Sequence, residues 1–138
     1  MPSSDGAAAL LDTHALVWWQ AGSDRLSRRA AKAITNASRI LVSPISFWEL
    51  SMLAHKRRVA LDRPVAAWVN DFLAGDRVAV AEFTPSIAVA AGSLEDFHGD
   101  PADRIIVATA IANGCVLLTK DDKIHAYATG SPAIATVW

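Results

Sequence analysis

Short apolar runs alternate with helix-forming segments along this 138-residue chain, and the alternation restricts the folds that it can adopt. The runs with the length and flanking turns of buried strands cover residues 7–11, 40–42, 78–82, 115–119 and 133–137. The segments with helical patterns cover residues 13–19, 27–37, 44–57, 65–73, 86–94, 101–113 and 122–128. Strands that alternate with helices form a parallel sheet covered on both faces. The sequence therefore predicts an α/β fold, a three-layer α/β/α sandwich with a mostly parallel central sheet of about five strands, as one domain over residues 1–138.

Composition favours a folded protein of the cytoplasm. Apolar residues make up 52% of the chain, which is too many for a disordered segment. The longest apolar stretch, residues 105–119, is interrupted by Asn113 and Gly114 and is too short to span a bilayer. Residues 1–6 lack the positive start of a signal peptide, and the single cysteine, Cys115, can form no disulfide within the chain. We therefore expect a cytoplasmic protein with no membrane partner.

Basic residues are clustered, although the net charge is only −1. One cluster lies between Arg25 and Arg39, and the other lies between Lys56 and Arg63. Such clusters can bind a polyanion locally, and they can equally be solvated faces of helices. Both interpretations stay open on the sequence alone.

Acidic side chains stand at the ends of two predicted strands. Asp12 directly follows the first strand, and Asp121 follows the fourth strand after Lys120. In parallel sheets, ligands bind outside the carboxyl ends of the strands, where the strand order reverses. Asp12 and Asp121 are therefore candidates for a functional site at this edge of the sheet.

Glu49 is the least ordinary acidic residue, because it lies on an apolar face of the helix over residues 44–57. Ile45 lies four positions before Glu49 and Met52 lies three positions after it, so both share its face of the helix. Trp48 directly precedes it. A buried carboxylate costs several kcal/mol unless it is protonated, paired or bound to a metal. Either a metal or a partner such as an arginine or a hydroxyl group can therefore explain Glu49.

Further acidic residues open helices. Asp100 is placed to cap the helix over residues 101–113, and Asp103 falls in its first turn. Capping is an alternative to a functional role for each acidic residue at a helix start, namely Asp12, Asp100, Asp121 and Asp122. The two roles are compatible, since a carboxylate has several lone pairs.

Taken together, the carboxylates predict a metal site. Two unit charges about 4 Å apart repel by about 4 kcal/mol at an effective dielectric constant of about 20, so several carboxylates need a cation to stay together. Ligand sets made only of oxygen suit Mg²⁺ or Mn²⁺. Such a site can activate water and neutralise a phosphoryl group, which suggests phosphodiester hydrolysis.

The chain also resembles the PIN domains and, within them, the VapC-type toxins of type II toxin–antitoxin systems. The resemblance rests on four segments in the same order: LDTHALVW at 11–18, VSPISFWEL at 42–50, DPADRIIVATA at 100–110 and LLTKD at 117–121. It implies a PIN-like fold and a metal-dependent endoribonuclease that cleaves RNA with Mg²⁺ or Mn²⁺. It also implies a cognate antitoxin whose tail covers the active groove, and a homodimer.

The same resemblance implies roles for particular residues. The residues matched to catalytic metal ligands are Asp12, Glu49, Asp103 and Asp121. The residues matched to supporting positions, or left open as neighbours of the site, are Ser43, Asp100, Thr119 and Asp122. The Asp-Asp pair leaves open whether Asp121 or Asp122 is the ligand, and no RNA-binding residue is identified. The aromatic residues that can contact a partner or fill the core are Trp18, Trp19, Trp48, Trp68 and Phe72.

Two other interpretations remain from different functional classes. The first is a PIN-like module that binds RNA or protein without cleaving RNA. The second is a receiver-like or phosphatase-like domain with Asp12 as an aspartyl nucleophile, although no second aspartate lies two residues further on. Arg104 can bind a phosphate or pair with a site carboxylate, of which we expect the ion pair, and His14 can approach the site.

Overall fold

A five-stranded sheet lies at the centre of the computed structural model, which describes residues 7–138. The strands are β1 (Ala9–Leu11), β2 (Ile40–Val42), β3 (Val78–Val80), β4 (Val116–Leu118) and β5 (Thr136–Val137). Each pairs in parallel with its neighbours, in the order β3-β2-β1-β4-β5. The expectation that no signal peptide is present concerns residues 1–6, which lie outside the described residues, as does that part of the predicted 1–138 domain.

Helices cover both faces of the sheet. They are α1 (Thr13–Ala21), α2 (Arg28–Asn36), α3 (Pro44–His55), α4 (Val65–Leu73), α5 (Pro85–Gly92), α6 (Pro101–Asn113) and α7 (Asp122–Thr129). Side chains of a strand point alternately to its two faces. Ala9 and Leu11 therefore pack into one core with α1 to α4, whereas Leu10 packs into the other core with α6 and α7. The predicted three-layer α/β/α architecture is confirmed.

The strand order places a crevice at one edge of the sheet. The chain runs outward from β1 to β2 and β3 and then returns to the other side of β1 to form β4 and β5. The order therefore reverses between β1 and β4, where the carboxyl ends of these strands face the same edge. Asp12 directly follows β1, and Thr119 directly follows β4.

Several elements are shorter than the sequence predicts. Helix α3 ends at His55 rather than at residue 57, and Arg57 has a φ of 59°, which no helical residue adopts. Strand β5 contains only Thr136 and Val137, because these are the residues that pair with β4. Within residues 7–138, none of the helices combines the length and apolar character needed to cross a membrane.

Candidate active site

Asp12 is held in a fixed orientation at the end of β1. One carboxylate oxygen, Oδ1, accepts a hydrogen bond of 2.7 Å from the backbone N–H of Thr13 and so caps α1. The other oxygen, Oδ2, accepts a hydrogen bond of 2.6 Å from the hydroxyl group of Thr119, which is fully buried. Asp12 is only 8% exposed. Burial raises the pKa of Asp12, and the hydrogen bonds from Thr119 and Thr13 act in the opposite direction.

Glu49 is connected to Asp12 through a single residue. The hydroxyl group of Thr13 donates a hydrogen bond of 2.6 Å to Oε1 of Glu49, which is half-buried on α3. Burial raises the pKa of Glu49, the bond from Thr13 opposes this, and the charge of Asp12 adds to the increase. Glu49 thus has a hydroxyl partner, which is one of the alternatives that the sequence left open. The bond occupies Oε1 of its carboxylate.

Asp103 brings a third carboxylate to the same region from the first turn of α6. Burial raises its pKa to about 7, and four neighbouring carboxylates contribute. In decreasing order of effect, these neighbours are Asp100, Asp12, Asp121 and Glu49. The four residues matched to metal ligands, which come from different elements of the fold, therefore lie close enough for their charges to interact.

Asp100 is the cap that the sequence predicts. Its Oδ1 accepts a hydrogen bond of 2.8 Å from the backbone N–H of Asp103, and Pro101 occupies the first helical position. Its charge also raises the pKa of Asp103 and of Glu49. Capping and proximity to the acidic residues therefore occur together at this residue.

Asp121, rather than Asp122, is the member of the pair that is coupled to the other carboxylates. Its charge raises the pKa of Asp12 and of Asp103. Its Oδ1 also caps α7, and its backbone N–H donates to the hydroxyl of Thr119 over 3.0 Å. Asp122 is exposed as the first residue of α7.

The chemistry of this acidic centre fits a hard divalent cation. Asp12, Glu49 and Asp103 all have raised pKa values, and each is affected by the negative charge of its neighbours. Adding a cation relieves both the repulsion and the burial of uncompensated charge. Within residues 7–138, no group of three or more acidic, histidine or cysteine side chains is arranged so that it could hold a metal ion by itself. Mg²⁺ typically binds through one or two carboxylates and retains several waters, so an open set of carboxylates suits it.

Ser43 has a structural role at the start of α3. It is fully buried, and its hydroxyl accepts a hydrogen bond of 3.2 Å from the backbone N–H of Ile45. It therefore caps the helix that carries Glu49, followed by Pro44 at the first position, as the sequence predicts.

Two residues of the centre have contacts that the sequence does not indicate. Thr13 bridges Asp12 to Glu49, and His125 on α7 bonds to the residue after β4 and to β5. Nε2 of His125 lies 2.6 Å from the backbone oxygen of Thr119, and Nδ1 lies 2.6 Å from the hydroxyl of Thr136. Since a carbonyl oxygen only accepts, Nε2 carries the proton in this bond. His125 therefore holds the residue that in turn holds Asp12.

The expected ion pair between Arg104 and a site carboxylate is wrong. The guanidinium group donates instead to backbone carbonyls, at 2.9 Å to Ala91, 2.8 Å to Leu94 and 2.5 Å to Phe97. These oxygens lie at the end of α5 and in the loop that leads to α6. A planar group with five donors can satisfy several carbonyls at once, and this outweighs a single ion pair.

The aromatic residues divide between the core and the surface. Trp68 and Phe72 are buried in the core beneath α4, where their rings stack with centroids 5.8 Å apart. Trp18 and Trp19 are half-buried, whereas Trp48 is 58% exposed. Core and surface positions are thus both represented, as the open alternatives allowed.

The fold and the site together define a class of protein: an α/β protein whose parallel sheet carries an acidic centre where the strand order reverses. The family model for the PIN domain matches residues 9–130. Ribonuclease VapC22 of Mycobacterium tuberculosis is 42% identical over 130 residues, which cover 94% of this chain and 97% of that protein. The chain therefore belongs to the PIN-domain family.

Solved structures share the fold. A toxin–antitoxin complex from Klebsiella pneumoniae matches with a TM-score of 0.64 and 23% identity, over 93% of this chain and 96% of that chain. VapBC2 from Rickettsia felis, bound to a DNA fragment from its promoter, matches with a TM-score of 0.66 and 16% identity, over 94% and 97%. At these identities, the similarity shows a common fold.

Proposed function

We propose that this chain is a metal-dependent endoribonuclease that hydrolyses RNA phosphodiester bonds and acts as the toxin of a VapBC-type pair. The proposal is supported by the acidic centre at the carboxyl edge of the sheet, where Asp12, Glu49 and Asp103 have raised pKa values and the charges of neighbouring carboxylates contribute to each. The similarity to Ribonuclease VapC22 over nearly the full length of both chains supports the same activity.

In this proposal, the four acidic residues Asp12, Glu49, Asp103 and Asp121 hold Mg²⁺ or Mn²⁺. When bound, such an ion would supply Lewis-acid chemistry at the phosphoryl oxygen and would lower the pKa of a coordinated water. Thr119 and Thr13 orient Asp12 and Glu49, because each donates its hydroxyl proton to one carboxylate oxygen. The orientation is set before substrate binds, which reduces the reorganisation required during the reaction.

The proposed partners are RNA, a cognate antitoxin and a second copy of this chain, within the cytoplasm as one folded domain over residues 1–138. The Klebsiella and Rickettsia structures contain a toxin together with its antitoxin, which supports an antitoxin partner for a chain with the same fold. A short reading frame beside this one, encoding a DNA-binding protein with a polar tail, is the expected source. Co-expression of the two proteins followed by size-exclusion chromatography measures the complex and its stoichiometry.

The activity is tested with purified protein and single-stranded RNA in Mg²⁺, in Mn²⁺ and in EDTA. We expect cleavage with either ion, none in EDTA, and a loss of at least 100-fold in Asp12→Asn, because catalytic metal ligands contribute several kcal/mol. Asp24→Asn is the matched control, since Asp24 is an exposed aspartate outside the acidic centre. Cleavage that survives in both Asp12→Asn and EDTA would contradict the proposal.

The other two functional classes have less support. A receiver-like domain has the strand order 2-1-3-4-5, which differs from the observed order β3-β2-β1-β4-β5. A binding module without nuclease activity would bind the same RNA in the assay above without cleaving it in either ion.

A further inference from the structure

Three aromatic rings lie in a row beside the acidic centre. His14 and Trp18 are one turn apart on α1, and their ring centroids are separated by 5.6 Å. The ring of Trp18 is also 5.6 Å from that of Trp138, which follows β5. The ring planes are inclined by 45° and 57°, so no ring fully covers the face of its neighbour.

A cation accompanies this row of rings. Nζ of Lys120 lies 5.7 Å from the ring centroid of Trp18, within the range of a cation–π interaction. His14 and Lys120 are exposed, and Trp18 and Trp138 are half-buried. The adjacent Trp19 packs against the core, as does one side of Trp138, whereas Trp18 lies outside that cluster. The row is therefore a surface feature with a positive charge.

The row borders the acidic centre on the side of β1 and β4. His14 follows Asp12 by two residues, and Lys120 directly precedes Asp121. The imidazole of His14 lies close enough to the carboxylates of Asp12 and Glu49 to lower the pKa of both. A strand whose phosphate sits at the carboxylates can therefore place a neighbouring nucleotide next to these rings.

We infer that His14, Trp18, Trp138 and Lys120 form a stacking surface for unpaired bases of RNA, with Lys120 close to the RNA backbone. The inference rests on the proposed ribonuclease function and names how the same site takes its substrate. A nucleotide combines a flat π system with an anionic phosphate, and this surface offers aromatic rings together with an ammonium group. Bases in a duplex are stacked on each other, so the surface selects single-stranded segments or ends.

Such a surface compensates for weak electrostatic attraction of RNA near the acidic centre. Carboxylates repel the RNA backbone, and the chain as a whole has a net charge of −1. Stacking does not depend on the sign of the backbone charge, so it can hold an RNA strand where electrostatic attraction is weak. The occupant that fits this surface is therefore a nucleobase.

The test compares two fluorescein-labelled oligomers of equal length, an unpaired RNA and an abasic sugar-phosphate chain, by fluorescence anisotropy in EDTA. Both carry the same backbone charge, so their difference in affinity reports on base stacking alone. We expect the wild-type protein to bind the RNA about tenfold or more tightly than the abasic chain. Trp18→Leu is expected to bring this ratio close to one while leaving the affinity for the abasic chain nearly unchanged. Lys120→Gln is expected to weaken both oligomers equally and to reduce the salt dependence of binding by about one ion.

Controls separate stacking from folding. His14→Ala removes an exposed ring and should reduce the ratio without destabilising the protein, and Trp18→Phe should retain most of it. Phe83→Leu changes an exposed aromatic residue at 43% exposure ahead of α5 and should leave the ratio unchanged. Thermal unfolding of each variant identifies any that is not folded.

Equal affinity of the wild-type protein for both oligomers would overturn the inference, and so would an unchanged ratio in both Trp18→Leu and His14→Ala. If these variants keep the ratio but lose binding to the antitoxin encoded beside this chain, the rings serve a protein partner instead. Cleavage of the same RNA in Mn²⁺ is measured separately. If the wild-type protein prefers RNA to the abasic chain but does not cleave RNA, the ribonuclease proposal is refuted and the stacking surface is supported. If it cleaves RNA but binds both oligomers equally, the ribonuclease proposal is supported and the stacking surface is refuted.

Discussion

The hydroxyl group of Thr119 connects two acidic residues that are far apart in the sequence. It donates to Oδ2 of Asp12 over 2.6 Å and accepts from the backbone N–H of Asp121 over 3.0 Å. The Thr119 hydroxyl and the Asp12 carboxylate are both buried. Removing the hydroxyl therefore leaves a carboxylate oxygen without a partner in a region of low dielectric constant.

Thr119→Val is therefore expected to destabilise the protein by about 1–3 kcal/mol and to lower ribonuclease activity by about tenfold or more. Thr119→Ser keeps the hydroxyl and should retain most of the activity. Thermal unfolding and single-turnover cleavage measure the two effects. Thr109→Val is the matched control, because Thr109 is equally buried but donates to a backbone oxygen of its own helix. Equal activity losses in Thr119→Val and Thr109→Val would contradict a specific role for Thr119.

Asp103 gives the protein a pH-dependent stability when no metal is added. Its pKa is 3.8 in the unfolded chain and about 7 in the folded protein. Between these values, the folded state binds more protons than the unfolded state, so the free energy of unfolding falls as the pH rises from about 4 to about 7. In EDTA, the melting temperature is expected to decrease over this interval and then to level off.

The matching variant is Asp103→Asn, which cannot ionise. At pH 8 in EDTA, it should unfold at a higher temperature than the wild-type protein by a few degrees, about 1 kcal/mol after allowance for its partial exposure to solvent. At pH 5 the difference should shrink. Asp24→Asn, at an exposed position, should show no such pH-dependent difference. A melting temperature of the wild-type protein that rises from pH 5 to pH 8 in EDTA, with Asp103→Asn following it, would be inconsistent with this account.

At the scale of elements, helix starts are more predictable than their ends. Ser43, Asp100 and Asp121 cap α3, α6 and α7 at the predicted places, since a cap bonds to backbone groups two or three residues away. Strand ends depend on a partner strand. Residues 133–135 have the apolar character of a strand, but Thr136 and Val137 are the ones that pair with β4.

The candidate site follows the same division between local and distant contacts. The placement of Asp12 and of Asp121 follows from their positions after parallel strands, which the sequence displays directly. The bond from Thr13 to Glu49 spans 36 residues, and its existence depends on how α1 packs against α3. The expected ion pair of Arg104 failed for the same reason, because the loop carbonyls that it binds are brought to it only by the packing of α5 on α6.

His125 joins three elements, and its replacement tests whether they act together. Its ring nitrogens bond to the backbone of Thr119 and the side chain of Thr136, so α7, the end of β4 and β5 are connected at one residue. His125→Leu is expected to reduce stability by about 1–3 kcal/mol and to reduce the rate of cleavage several-fold. The KM for RNA should change little, because His125 acts through Thr119 and Asp12 rather than on the substrate.

His125→Gln supplies a donor and an acceptor on one side chain and should recover most of the rate. Steady-state kinetics with separate values of kcat and KM distinguish this behaviour from a general loss of folded protein. His55→Leu is a control, since His55 is an exposed histidine in the last turn of α3. A His125→Leu variant whose kcat equals that of the wild-type protein would show that the connection is structural only.

At the scale of the whole molecule, the topology explains why negatively charged side chains from distant parts of the chain lie near each other. The sheet is covered on both faces, so its carboxyl edge is the place where side chains after β1 and β4 come together outside the two cores. Helices α3 and α6 begin at this edge, and they add Glu49 and Asp103 to Asp12 and Asp121. The fold is thus stabilised by the apolar clusters on both faces of the sheet and locally destabilised by the charges that it brings together.

A divalent cation should therefore stabilise the entire protein, independently of any RNA. A ligand that binds only the folded state, at a concentration 100 times its Kd, adds about 2.7 kcal/mol, which corresponds to roughly 10 °C for a domain of this size. Mn²⁺ is expected to raise the melting temperature by this order, and more at pH 8 than at pH 5.5, because Asp103 must lose its proton before it can bind a cation.

Isothermal titration calorimetry should show proton release whose extent falls as the pH rises above 7. Asp12→Asn and Asp103→Asn should each reduce the shift strongly, whereas Asp24→Asn should preserve it. A wild-type protein whose melting temperature is unaffected by Mn²⁺ at pH 8 would show that these carboxylates tolerate their mutual repulsion without a cation, and the metal-dependent mechanism would have to be abandoned.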